Sequence, residues 1–203
     1  MKLFASPTSP YARKIRIVLF EKQLPFELVE DSPWESATRV PEINPLGKVP
    51  VLVLDDGEVF FDSPVIAGYL ETLNAEPRLL PTDALARVRV RQTEALADGI
   101  TDAAVTALLE SRRPDGERSD REIARQTAKI ERGLDVLERR ATGREWLHGD
   151  GLSLADIAAG TALAYLDLRF PQLSWRDAHP ALKTLEARMS ARPSFIETVP
   201  PVG

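Results

Sequence analysis

Cysteine is absent from the 203 residues. That removes disulfides, thiolate-ligated metals and any thiol nucleophile of the chain's own. Histidine is scarce. His148 and His179 are the two present, too far apart in sequence for metal-type spacing, and each reads as a surface or loop residue. The chain also lacks an excess of positive charge. Its net charge of −5 argues against nucleic acid as a partner, because duplex binding relies on clustered Lys and Arg. Arg87, Arg89 and Arg91 do form a local group, but acids surround them and they read as a solvated helix face. No run approaches the ~20 apolar residues of a membrane span. The stretch Met1–Lys14 has no apolar segment of signal-peptide length. The expectation is a cytoplasmic chain with no membrane partner and no metal.

What is present is ordinary for a globular protein: 43% hydrophobic and 28% charged residues, enough chain for one large or two small domains. Lys2–Ala5 is a short strand candidate. Ser6–Pro10 is a polar loop, and Tyr11–Lys22 places Ile15, Val18 and Leu19 on one helical face. Phe26–Glu30 alternates as a second strand, so the β-α-β order predicts a parallel pair with a helical crossover. A short helix is expected near Glu35–Val40. Val51–Leu54 and Val59–Phe61 flank Asp55-Asp56-Gly57, a strong hairpin signal. Ser63–Leu73 reads as a helix with Ser63 as N-cap and Pro64 at the first helical position. This order of elements is that of a thioredoxin-like fold.

Asn74–Asp83, with Pro77 and Pro81, is the linker candidate. Beyond it strand signals vanish. Helices are expected over Ala84–Arg112, Ser119–Arg140, Leu154–Leu168 and Pro180–Ala191. Leu154–Leu168 is apolar on nearly all sides and should be buried. Ser153-Leu154-Ala155-Asp156 is a capping box that opens it, read as structural.

Three further segments carry chemistry. In Ser6-Pro7-Thr8-Ser9-Pro10-Tyr11, Ser9 can cap the first helix, whose free N–H groups favour an anion. A plainly capped helix would show the same residues. Asn44-Pro45-Leu46-Gly47-Lys48-Val49-Pro50-Val51 leads into the third strand, and by itself is also what a proline-bounded loop looks like. Asp62-Ser63 stands at another helix start, where Ser63 suits a carboxylate and Asp62 an ammonium.

Together with the capping box, these segments resemble the cytosolic glutathione transferase superfamily over essentially the whole chain. The likeness is closest to bacterial members with a Ser-Pro-aromatic segment after the first strand. It implies an α+β thioredoxin-like domain at residues 1–76 that binds glutathione, followed by an all-α domain at residues 84–203 that contributes the electrophile pocket. Ser9 would activate the glutathione thiol, with Thr8 as the rival hydroxyl. Lys48, Val49 and Pro50 would hold the cysteinyl unit, with a cis bond at Val49–Pro50, and Asp62 and Ser63 the γ-glutamyl group. Tyr11, Ile100, Tyr165 and Phe170 are candidates for the pocket wall. Glutathione would be the co-substrate and a small hydrophobic electrophile or a peroxide the target, in a homodimer devoted to detoxification. Two other functions compete: a glutathione-dependent isomerase, and a non-enzymatic interaction protein that retains the fold.

Overall fold

The computed structural model of the protein describes residues 1–73 and 76–201. The first two residues of the expected linker, Asn74 and Ala75, lie outside the described residues, as do the last two of the chain.

The chain divides into two compact units, Met1–Leu79 together with the segment that starts at Arg192, and Leu80–Ala191. The first unit runs β1 (Lys2–Ala5), α1 (Pro10–Glu21), β2 (Glu27–Glu30), α2 (Val40–Ile43), β3 (Val51–Val53), β4 (Val59–Phe60) and α3 (Ser63–Thr72). The strands form one sheet in the order β2-β1-β3-β4. β1 and β2 are parallel, which a helical crossover requires. The β3–β4 pair is antiparallel, closed by a turn in which Gly57 takes a φ of +91°, a conformation glycine adopts without steric cost. Leu3, Val51 and Leu52 of the sheet are fully buried, as are Ile15 and Leu19 of α1 and Ile66 and Leu70 of α3.

Two local expectations need correction. The short helix begins at Val40 and not near Glu35, because the Asp31 carboxylate ties the preceding segment down as a loop: it accepts from the Thr38 hydroxyl at 2.6 Å and from the Arg39 N–H at 3.0 Å. Pro41 then sits in the first turn of α2, where its missing N–H costs nothing. The N-cap of α3 is Asp62 and not Ser63; the Asp62 carboxylate accepts the Ser63 N–H, which moves Ser63 into the first helical turn.

The second unit holds α4 (Ala84–Ser111), α5 (Asp120–Ala141), α6 (Leu154–Arg169), α7 (Trp175–Ala178) and α8 (Pro180–Ser190). Asp83 and Ser119 cap α4 and α5 through the N–H groups of Ala86 and Glu122. α6 is buried along nearly its whole length, from Leu154 to Leu163 without a break. Its capping box is present: Asp156 Oδ2 accepts from the Ser153 N–H at 2.9 Å and from the Ser153 hydroxyl at 2.6 Å. α4 and α5 approach closely at Gly133, where a Cβ would fall 2.5 Å from Ile100 Cγ1.

The one-turn helix α7 and a last one, α9 (Pro193–Ile196), have no counterpart in the sequence pattern, being too short to show a period. α9 packs on α1, in the first unit.

Candidate functional site

Strand register gathers the three chemical segments. β1 and β3 are antiparallel with Phe4 opposite Val51, so continuing the pairing sets Val49 opposite Ser6. Leu52 pairs with Phe60, so the same continuation sets Asp62 opposite Pro50. The Ser6–Pro10 loop, the Val49–Pro50 lead-in and the start of α3 therefore emerge at one end of the sheet.

Ser9 is the N-cap of α1 and Pro10 its first residue. The Ser9 Oγ accepts the Ala12 N–H at 3.2 Å, which leaves the hydroxyl proton available for donation. Thr8 is half-buried beside it. The α1 N-terminus adds its partial positive charge to this point.

The Val49–Pro50 peptide is cis. The loop before it is braced by buried Asn44, whose amide donates to the Lys48 carbonyl at 2.8 Å and whose carbonyl oxygen accepts from the Leu46 N–H at 3.0 Å. Gly47, at φ +61°, makes the turn that brings Lys48 around. The Lys48 side chain is exposed, while the Val49 backbone N–H and C=O bond to no described residue.

At the third segment, Ser63 is 0% exposed, and its Oγ has no hydrogen-bond partner among the described residues. A buried, unsatisfied hydroxyl is rare in a native fold and costs free energy unless something else satisfies it. It sits in the first turn of α3, where N–H groups and dipole favour a negative group, and Asp62 beside it supplies the opposite preference.

Sequence reasoning missed how α1 is held. Arg13, one turn below Ser9, is 7% exposed. It donates to the Phe195 carbonyl at 3.2 Å and the Thr198 hydroxyl at 3.4 Å, with its guanidinium over the Phe195 ring. Burial, and then the neighbouring Arg16, push its pKa down to about 10. At the other end of α1, Glu21 accepts from Nε and Nη2 of Arg192 at 2.7 Å each and from the Ser194 hydroxyl at 2.5 Å. Of the wall candidates, Ile100 is core, 2% exposed against Gly133 of α5. Tyr165 is buried as well, its phenol pushed up by burial although Arg169 and Arg112 lower it in part. Among the described residues no group of three or more His, Cys, Asp or Glu could hold a metal ion, and no helix is long and apolar enough to cross a membrane.

A four-stranded β2-β1-β3-β4 sheet with its chemistry at one end, joined to a helical unit, defines a thioredoxin-like domain with an all-α companion. The family models of the glutathione S-transferase N-terminal and C-terminal domains match residues 8–73 and 120–193. The GST-like protein YibF of Escherichia coli strain K12 is 45% identical over 201 residues, covering 99% of each chain. A glutathione S-transferase of Methylobacillus flagellatus, solved with glutathione bound, superimposes with a TM-score of 0.96 at 44% identity, over 98% of this chain and 99% of that one. Another, from Methylobacterium radiotolerans in complex with glutathione sulfonate, gives 0.94 at 48% identity, over 98% and 94%. The chain belongs to the glutathione S-transferase family.

Proposed function

We propose that the protein binds glutathione at this end of the sheet and activates its thiol for attack on an electrophilic or peroxide substrate. The observation that carries the reading is the buried, unpartnered Ser63 Oγ beside Asp62, a pair suited to the carboxylate and ammonium of a γ-glutamyl group. Support comes also from the unbonded Val49 backbone, free to pair with the cysteinyl unit as an added strand would, with Lys48 and Pro50 framing it. The two solved relatives carry glutathione or glutathione sulfonate.

The thiol then falls near the start of α1. An ordinary thiol has a pKa of ~8.5 and is mostly protonated at neutral pH. A hydroxyl hydrogen bond to a charged sulfur contributes ~1.5–3 kcal/mol and a helix terminus about 0.3–1 kcal/mol. The sum lowers the thiol pKa by one to two units or more, so no general base is needed. Ser9 is the preferred donor, because its oxygen is fixed by the Ala12 N–H while its proton stays available; Thr8 is the alternative. The protein works as a cytoplasmic homodimer.

Calorimetry tests the ligand. Ser63→Ala with Asp62→Ala weakens glutathione binding by ~2 kcal/mol or more, as charge-assisted contacts are lost. Ser63→Ala alone leaves unliganded stability unchanged or slightly raised, since no partner is lost in the free protein. Full glutathione affinity in the double variant would place the site elsewhere.

A further inference from the structure

The second unit holds a polar cluster that the glutathione reading does not use. Its base is Thr93 of α4, fully buried. The Thr93 hydroxyl donates to the Arg89 carbonyl at 3.2 Å and accepts from Arg140 of α5 at 2.5 Å. Its oxygen also lies 2.7 Å from Nε2 of His148. With the Thr93 proton directed to Arg89, Nε2 is the protonated nitrogen of a neutral His148. Nδ1 then faces no described partner, and gains a proton to donate when the ring is charged. Arg140 is steadied further by Gln92 at 3.3 Å.

The charges around this imidazole do not balance. Arg89 of α4, Arg140 of α5 and Arg144 beyond α5 all act on it, and the opposing carboxylate is Asp156 of α6. Asp156 is 0% exposed and already occupied: its oxygens accept from the Leu147 N–H at 2.8 Å and from the N–H and hydroxyl of Ser153. Arg89 and Arg144 make no ion pair among the described residues. Burial first, and then the three arginines, hold His148 below the ordinary histidine value, although Asp156 pulls the other way. Two unpaired guanidiniums, a third that is braced, and an imidazole that becomes a donor at Nδ1 when charged are donors and positive charge in want of a doubly charged acceptor.

We propose that Arg89, Arg140, Arg144 and His148 form a binding site for a phosphate dianion, free or as a monoester. The site stands in the helical unit and does not depend on the glutathione reading. Arg140 and Thr93 are its floor, Arg89 and Arg144 its exposed arms, and His148 its titrating member.

The chain has two histidines, so proton NMR resolves both ring titrations in the full-length protein. The probes are inorganic phosphate and glycerol phosphate, each against sodium chloride at equal ionic strength. A bound dianion favours the charged ring. The His148 pKa rises by about one unit, equivalent to ~tenfold tighter binding to the protonated form, and His179 does not move. Whichever probe saturates at the lower concentration identifies the ligand as free phosphate or ester. Arg89→Gln with Arg144→Gln abolishes the shift while glutathione titration of the same sample stays as in the parent. The proposal is overturned if phosphate and chloride give the same His148 titration, if both histidines shift alike, or if the shift survives in the double arginine variant.

Discussion

At the scale of single residues, Ser9 has two uses for one oxygen. It satisfies the Ala12 N–H and, in the proposed function, donates its proton to the glutathione sulfur. Ser9→Ala should therefore change two observables. Stability falls by ~1 kcal/mol through loss of the cap, read from urea denaturation. The thiol of bound glutathione rises by roughly one to two pKa units, read from ultraviolet titration of the thiolate, with glutathione affinity nearly intact. Thr8→Ala is the control. A titration that moves with Thr8 and not with Ser9 transfers the role to Thr8. Asp156 is a different kind of residue, structural and fully enclosed. Its removal strands the Leu147 N–H and undoes the cap of α6, so Asp156→Ala should cost ~2–3 kcal/mol. Asp156→Asn, which keeps an acceptor, should recover part of that in the same denaturation experiment.

At the scale of elements, two helix pairs depend on single positions. α4 and α5 touch at Gly133, with room there for a hydrogen and not a methyl. Gly133→Ala should destabilise the protein by ~1–3 kcal/mol despite its better helix propensity, as overpacking does. Adding Ile100→Val should relieve part of the loss, and additive effects of the two substitutions would show that no contact is shared. α1 and α9 meet through Glu21. Burial pushes the Glu21 carboxyl up, but the hydrogen bonds from Arg192 and Ser194 and the Arg192 charge outweigh it and hold the group below its usual 4.5. A depressed carboxyl contributes stability that is fully present above the unfolded-state value and is lost as pH falls through the folded-state value. Between about pH 5 and about pH 3 the parent should lose more stability than Glu21→Gln, which has no such charge to neutralise. Parallel acid titrations of stability for the two would contradict this.

At the scale of the whole molecule, what could be read from sequence was what is local. The β-α-β start, the Asp-Gly hairpin, the long helices and the Ser153–Asp156 box each depend on neighbours within a few positions. The Val49–Pro50 and Asp62-Ser63 segments were legible through family resemblance, since neither shows its spatial company until strand register brings them to one end of the sheet. What escaped was set by distant partners or by short-range competition. Asp31 bonds Thr38 and Arg39 and displaces α2. Arg13 and Glu21 look like surface charges on a helix, yet both are satisfied by residues after position 191. The returning α9 segment has a consequence for how the protein is made. Synthesis delivers the sheet, α1 and α3 first, and domains tend to fold as they emerge. The partners of Arg13 and Glu21, however, are translated only after the entire helical unit. The first unit is thus completed only after the second has been translated, and until then Arg13 and Glu21 wait without the hydrogen bonds that satisfy them.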